Sequence, residues 1–308
     1  MFNILGKRYL FFLISAIIII PGLIVLAVNG LDFSIDFTGG SLLELKFDSG
    51  VLPPVSDVTT LFQDELNVTG VQVQTSADNV LIIRTPEISE ETRSQVIETM
   101  QKQFGSNITM LRFDSVGGTV GHEVASRAAL AVAIAALGVI LYITFAFRGI
   151  EHSFRYGVCA IAAMLHDILV MLSITAIAGK YLGWQFDTLF LTAFLTVIGF
   201  SVQDKIVVFD RIRENSGIYR KLEFEKLANH SIVQTLQRSI NTQLMTSEFL
   251  LLALALFGGV TLREFSIILL IGLFMGTYSS IFIAAPILVI WENKEWRNWF
   301  GQKKTTTA

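Results

Sequence analysis

Three stretches of the chain carry no charged residue over a length that suffices to cross a lipid bilayer. They run from Tyr9 to Leu31, from Ala128 to Phe147 and from Phe265 to Trp291, and they contain 23, 20 and 27 residues. About 20 helical residues cross a hydrocarbon core of about 30 Å. The first stretch is longer than the apolar core of a signal peptide, so we interpret it as a retained anchor.

The composition supports a membrane protein and excludes several soluble classes. Hydrophobic residues make up 52% of the chain and charged residues 16%, whereas soluble domains contain about 25% charged residues. A net charge of −3 does not indicate the basic surface that is typical of nucleic-acid binding. The single cysteine, Cys159, excludes a disulfide scaffold and a cysteine-based zinc site. We expect neither an enzyme nor a bound metal or cofactor.

Three further spans appear once an isolated charge is allowed within a helix. These are Tyr156–Gly179 around Asp167, Thr188–Phe209 around Asp204, and residues 235–257 around Glu248. The predicted fold class is therefore a multi-pass α-helical membrane protein with six transmembrane helices.

The distribution of Lys and Arg sets the predicted orientation, because cytoplasmic loops are enriched in both. With the N-terminus inside, the cytoplasmic segments hold 14 basic residues, and the two short outer loops hold Lys180 and Arg263. Both termini are thus predicted to be cytoplasmic. The predicted divisions are 1–31 (N-terminus and first span), 32–125 (extracytoplasmic domain), 126–291 (remaining spans with cytoplasmic loop 210–238) and 292–308 (cytoplasmic tail).

The long outer loop is acidic and patterned as a small α+β domain. Residues 29–127 contain 14 Asp and Glu against 6 Lys and Arg. Alternating apolar residues predict strands at Ser41–Phe47 and Val80–Thr85, and Ser89 is placed to cap a helix that ends at Gly105. The whole order, β-α-β-β-α-β, is typical of a ferredoxin-like domain.

Charged residues at membrane depth are the candidate functional groups, since each costs about 2.5–3.5 kcal/mol at a helix centre and such residues commonly mark ion routes. Asp167, preceded by His166, is either a polar pair that joins helices or a protonatable centre. We favour Asp204 as a proton site, with the Ser201 hydroxyl or a water beside it. Lys205 is interpreted as an interfacial anchor whose side chain extends towards the cytoplasmic surface.

The last two spans offer weaker signals. Arg238 is either a cytoplasmic anchor or a fixed cation that holds a carboxylate ionised and releases it on movement. Glu248 is expected to be a protonated acid that forms a hydrogen bond across helices. The small residues Gly272, Gly276 and Ser279 favour close helix packing.

Four motifs in order resemble the SecD/SecF family of bacterial protein-export subunits. They are Asp36-Phe37-Thr38-Gly39-Gly40 with the strand that follows, MLHDILV at 164–170, GFSVQDKIVVFDRIREN at 199–215, and the segment 257–284 that begins with Phe257-Gly258-Gly259. The size of the outer loop is similar to that of the SecF branch. SecD would carry a much larger external region.

The resemblance implies a subunit in the bacterial plasma membrane that pairs with SecD as a twelve-helix unit similar to RND transporters. Its implied partners are SecD, the SecYEG channel, the SecA motor, the unfolded exported chain and membrane lipid. The implied proton relay places the family's aspartate at Asp204 and its arginine at Arg238, with H⁺ or Na⁺ as the coupling ion. Lys205, Glu248 and Gln203 depart from the family's usual residues.

The main alternative is a self-sufficient RND-type exporter of small molecules or lipids. It would need a second six-helix repeat or a homodimer, and a larger outer domain; the sequence contains neither the repeat nor the large domain. An intramembrane hydrolase would show a GxSG, HExxH or GxGD motif, and none occurs.

Overall fold

A computed structural model describes residues 3–48, 51–66, 68–76, 79–105, 107–148, 153–243, 249–257 and 259–295. The chain divides into two compact units. One comprises Met1–Leu31, Val132–Trp184 and Leu189–Ala308, and is called the helical unit below. The other comprises Asp32–Ala131 together with Gln185–Thr188, and is called the sheet unit.

The helices and strands are numbered separately in chain order. The helices are α1 (Arg8–Asn29), α2 (Ile35–Thr38), α3 (Val55–Asp64), α4 (Glu90–Phe104), α5 (Gly118–Ala146), α6 (Ser153–Leu182), α7 (Thr188–Ile218), α8 (Phe224–Gln243), α9 (Phe249–Phe257), α10 (Gly259–Ser279) and α11 (Ala285–Glu292). The strands are β1 (Gly40–Phe47), β2 (Gln72–Ser76), β3 (Val80–Thr85) and β4 (Ile108–Val116). A 3₁₀ turn, Leu5–Lys7, precedes α1, and a π-helical turn, Ser280–Ala284, joins α10 to α11.

Five helical stretches within the described residues are long and apolar enough to cross a membrane. They are Leu5–Asn29, Gly118–Ala146, Ser153–Leu182, Thr188–Ile218 and Leu262–Glu292. The predicted fifth span, 235–257, corresponds to the end of α8 and to α9, and the residues between them, Glu248 included, lie outside the described part of the chain.

Helices α5 and α7 extend beyond the predicted spans into segments that carry ion pairs between neighbouring turns. Helix α5 begins at Gly118 rather than Ala128, and Arg127 pairs with Glu123 at 2.5 Å one turn away. Helix α7 continues past Phe209 to Ile218, where pairs of the same kind join neighbouring turns. Pairs at this spacing support helices by a few tenths of a kcal/mol each.

The last span contains a backbone irregularity that was not predicted from the sequence. Pro286 lies in the first turn of α11. Because proline lacks a backbone N–H and its ring crowds the carbonyl four residues earlier, regular α-helical bonding cannot continue through this position. The π-helical turn Ser280–Ala284 lies directly before it.

Close contacts between small residues hold the helical unit together. A Cβ built on Gly22 of α1 would lie 2.2 Å from Cβ of Ser173 on α6. One built on Gly272 of α10 would lie 2.3 Å from Val197 of α7. Helix backbones approach closely only where such small residues meet.

The sheet unit is built on a four-stranded antiparallel sheet. The strand order is β2-β3-β1-β4, and the chain order of strands and covering helices is β1, α3, β2, β3, α4, β4. Alternate residues of β1, namely Leu43, Leu45 and Phe47, point into a core that α3 and α4 cover. Ser89 caps α4 as expected, because its side chain accepts from the N–H of Thr92.

Candidate functional site

Ionisable and hydroxyl side chains from four helical segments meet inside the helical unit. Asp167 is carried by α6, Asp204 and Lys205 by α7, and Ser239 by α8. Ser279 and Ser280 come from the junction of α10 with the π-helical turn. Polar side chains on apolar helices turn away from lipid and towards one another, because each would otherwise be unsatisfied.

Asp167 is the most buried carboxylate of this cluster, with 2% of its surface exposed. Its Oδ2 accepts hydrogen bonds from Ser201 Oγ at 2.5 Å, from Lys205 Nζ at 2.7 Å and from Ser279 Oγ at 2.7 Å. Its Oδ1 lies 3.0 Å from Nδ1 of His166. Two hydroxyls, one lysine ammonium and one histidine ring therefore surround a single carboxylate.

Lys205 corrects one sequence interpretation. The expected interfacial anchor is instead fully buried, with 0% of its side chain exposed, and it pairs with Asp167. It also donates to Oγ of Ser201, one turn earlier on the same helix. The interpretation was wrong because the long lysine side chain reaches a carboxylate on the neighbouring helix and does not extend to the membrane surface.

Ser201 also lies elsewhere than expected. It shares α7 with Asp204, but its hydroxyl donates to Asp167. Its backbone is approached by Gly276, whose built Cβ would be 3.3 Å from Cα of Ser201. Ser201 therefore belongs to the Asp167 group.

His166 joins three helices. Its Nε2 lies 2.8 Å from Oγ of Ser15 on α1, and its ring stacks on Tyr278 of α10 with centroids 6.3 Å apart. The Tyr278 hydroxyl in turn donates to the carbonyl of Phe11 at 2.9 Å. The histidine thus has a clear role in joining helices.

Asp204 lies in a different environment. It is half-buried, and its two oxygens accept from Ser239 Oγ at 3.1 Å and from Ser280 Oγ at 3.0 Å. It faces a cavity of about 90 Å³, large enough for water. The cavity lining comprises Phe200, Gln203, Asp204, Val207, Arg238, Ser239, Thr242 and Gln243.

Arg238 lines the same cavity as Asp204, and Thr242 lies there with it, one turn further along α8. The arginine is exposed on the isolated chain, and within the described residues it forms no ion pair. The two residues favoured from the sequence are therefore brought together around one space without being bonded to each other.

The Asp36–Gly40 motif shapes the backbone of the sheet unit. Asp36, Phe37 and Thr38 form the short helix α2. Gly39 and Gly40 have positive φ values of 74° and 123°. A Cβ on Gly39 would lie 2.7 Å from Cα of Gly118, so both backbone angle and space require glycine here.

Asp36 makes a contact that the sequence pattern did not predict. Its Oδ2 accepts from the backbone N–H of Thr188 at 3.1 Å and from the Thr188 hydroxyl at 2.8 Å. Phe186 next to this site pairs with Phe33 in an isolated parallel bridge. The predicted outer loop 180–187 thus contributes a segment to the sheet unit. Phe186, an aromatic residue in a short outer loop, was the sequence feature that could have indicated this packing.

Three residues singled out from the sequence lie in or next to segments outside the described part of the chain. Glu248 and Gly258 lie outside the described residues, and Gly259 is the first residue of α10. Within the described ranges, no group of three or more His, Cys, Asp or Glu side chains is arranged to hold a metal ion.

Comparison with known families decides the assignment. The family described as "Protein export membrane protein SecD/SecF, C-terminal" matches residues 96–294, and the "SecD/SecF GG Motif" matches residues 24–51. The chain belongs to the SecD/SecF family. The second match contains Gly39 and Gly40, whose constrained backbone is described above.

Full-length relatives and a solved structure agree with this assignment. The chain is 67% identical to the protein translocase subunit SecF of Anaerolinea thermophila over 97% of both chains. It is 46% identical to SecF of Thermobaculum terrenum, over all of this chain and 99% of that one. The crystal structure of SecDF from Thermus thermophilus superimposes with a TM-score of 0.81 at 31% identity, over 95% of this chain.

These matches identify a membrane subunit of the Sec protein-export system and disfavour the self-sufficient exporter. The chain spans 39% of the Thermus SecDF chain, which is titled a translocon-associated membrane protein. SecDF thus carries a region similar to this chain together with a larger remainder.

Proposed function

We propose that this chain works with a SecD-type partner and uses the proton-motive force to promote polypeptide export after the SecA and SecYEG step. The similarity to part of the SecDF chain supports the partner, since SecDF holds both halves in one polypeptide. H⁺ is the coupling ion we favour, and Na⁺ is the alternative to be tested.

The contrast between buried Asp167 and half-buried Asp204 carries the proposal. Asp167 is paired with a buried lysine, so its negative charge is matched within the protein. Asp204 is held by two neutral hydroxyls and faces a cavity large enough for water. A carboxylate that is bonded through neutral donors and open to water can gain and lose a proton without leaving a buried cation unpaired.

Arg238 supplies the second element of the proposed relay. An arginine stays charged at all relevant pH values, and this one lines the cavity that Asp204 faces. A small movement of α8 towards α7 would bring the guanidinium against the ionised carboxylate, and the reverse movement would release it. Proton transfer at Asp204 is then linked to helix position.

The energy available is sufficient for such a movement. One proton that crosses the membrane contributes about 2.3 kcal/mol per 100 mV. A conformational gap of a few kcal/mol is typical of two-state proteins. A single proton per step therefore biases a rearrangement of moderate size.

The proposed topology has six spans, the fifth running through the end of α8 and α9. Both termini are on the cytoplasmic side of the bacterial plasma membrane, in line with the Lys and Arg distribution. The extracytoplasmic region is a ferredoxin-like domain, supported by the strand order β2-β3-β1-β4 with two covering helices. In this proposal the domain contacts the unfolded chain as that chain emerges.

Co-purification combined with export tests this function. The affinity-tagged chain is isolated from membranes of its own bacterium, and the export of a secreted precursor is measured in vesicles with and without a protonophore. We expect a SecD-type protein and the SecYEG channel to co-purify, and the chain to increase the protonophore-sensitive part of export. A lone chain that transports small molecules in liposomes would contradict the proposal.

A further inference from the structure

Two consecutive serines connect Asp167 with Asp204. Ser279 Oγ donates to Asp167 Oδ2 at 2.7 Å, and Ser280 Oγ donates to Asp204 Oδ2 at 3.0 Å. Both serines are fully buried, with 0% of their surface exposed. One short piece of backbone therefore holds both carboxylates.

A second pair of consecutive residues makes the same connection on α7. Lys205 pairs with Asp167 at 2.7 Å, and the residue before it is Asp204 itself. The contacts form a closed ring from Asp167 through Ser279 and Ser280 to Asp204, and through Lys205 back to Asp167. The two carboxylates are thus connected by two routes.

Each serine of the ring has two acceptors in reach and one proton to donate. Ser280 Oγ lies 2.8 Å from the carbonyl of Thr277 as well as 3.0 Å from Asp204. Ser279 Oγ lies 3.1 Å from the carbonyl of Gly276 as well as 2.7 Å from Asp167. Each hydroxyl can therefore exchange a carboxylate for its own helix backbone.

The backbone at this point is also irregular. The π-helical turn begins at Ser280, and Pro286 follows in the next turn. Single π turns within α-helices occur often at functional sites. The two serines lie where the regular α-helix α10 ends and this turn begins.

We propose that Asp167, Lys205 and Ser279 are positioning residues for proton transfer at Asp204, and that they act through Ser280. The Asp167–Lys205 ion pair is the fixed side of the ring and Asp204 is the side that changes. When Asp204 exchanges a proton, Ser280 changes between the carboxylate and the Thr277 carbonyl, and Ser279 keeps the turn anchored to Asp167. This inference rests on the proposed function and assigns residues outside the Asp204–Arg238 pair to it.

Among the described residues, the charged and titratable groups near Asp204 come from its own helix and from the helices packed around it. Its own helix contributes Lys205, α8 contributes Arg238, and α6 contributes Asp167 with His166 bonded to it. From α10, Tyr278 stacks on the histidine. The Ser279 hydroxyl bonds to Asp167 and to the Gly276 carbonyl, and Ser279 is not among the residues that line the cavity, so we expect its removal to act on Asp204 through the ring.

The test is the pH profile of proton-driven export by the Ser279→Ala variant, in vesicles that contain the full chain, its SecD-type partner and the Sec channel. We expect the midpoint of the profile to shift by about half to one pH unit, since a hydrogen bond to an ionised group is comparable to a one-unit change. Ser173→Ala is the matched control, because that buried serine donates to the Ile19 carbonyl at 3.1 Å and bonds to no carboxylate among the residues that the structure describes. Its profile should equal that of the wild type.

The Asp204→Asn variant, measured in the same vesicles, distinguishes a failure of the ring from a failure of the proposed function. If Asp204→Asn abolishes proton-driven export and Ser279→Ala keeps the wild-type profile, the ring is overturned and the proposed function stands. If Asp204→Asn exports like the wild type, the proposed function fails as well. Should Ser279→Ala not accumulate in the membrane, the double variant Asp167→Asn/Lys205→Met replaces it, with the same shift expected and an unchanged profile as the contradicting result.

Discussion

The ammonium of Lys205 lies 2.7 Å from Oδ2 of Asp167, and 0% and 3% of the two side chains are exposed. The two residues come from helices adjacent in the chain, α6 and α7. A buried ion pair adds little stability by itself, but loss of one partner leaves an uncompensated charge in an apolar interior. The pair therefore makes a strong prediction about single and double variants.

We expect Lys205→Met to lower the free energy of unfolding by about 3–5 kcal/mol, because Asp167 is left buried without its cation. The double variant Asp167→Asn/Lys205→Met should recover most of this loss, since both charges are gone. Thermal unfolding of the purified chain in detergent measures both. A double variant that is no more stable than Lys205→Met would show that the pair is not a unit.

Helix packing at Gly22 leads to a second prediction. A Cβ at this position would lie 2.2 Å from Cβ and 2.5 Å from Cα of Ser173, so a side-chain rotation cannot relieve the clash. Gly22→Ala should therefore destabilise the chain by about 1–3 kcal/mol through overpacking. Gly138→Ala on α5 is the control, because a Cβ there meets no atom within 4 Å. Equal unfolding temperatures for the two variants would contradict the close α1–α6 contact.

The glycine pair of the sheet unit leads to a third. Gly39→Ala adds a Cβ 2.7 Å from Cα of Gly118 and places alanine at φ 74°. We expect a loss of roughly 2–4 kcal/mol from strain and overpacking combined. Gly118→Ala removes the other glycine of the contact, but its own Cβ meets nothing within 4 Å. Limited proteolysis should therefore cleave the sheet unit faster in Gly39→Ala than in Gly118→Ala.

The sequence predicted the features that depend on local pattern. Charge-free length located three of the five membrane-length helices within the described residues, because burial in lipid imposes a minimum apolar run. Alternation located β1, and Ser89 marked the start of α4 because an N-cap hydroxyl is a local signal. The pairing of Asp204 with Arg238 was implied by the family resemblance and not by local pattern; both residues line one cavity.

Features that depend on helix rotation were not accessible from one sequence. The partner of Lys205 is set by the face that α6 turns towards α7, and no local pattern encodes that face. The contact of Asp36 with Thr188 joins residues 152 positions apart in the chain. Pro286 was a usable signal for the irregular turn, since proline inside a helix disrupts its bonding.

The protonophore-sensitive component of precursor export tests the central claim most directly, measured with Asp204→Asn, Arg238→Met and the control Asp210→Asn. Asp210 lies on the same helix, but it is exposed and pairs with Arg213 at 2.7 Å. The account predicts that all three variants insert normally, that Asp204→Asn and Arg238→Met lose this component, and that Asp210→Asn keeps it. Export by Asp204→Asn with the full wild-type response to the protonophore would contradict the proton role assigned to this carboxylate.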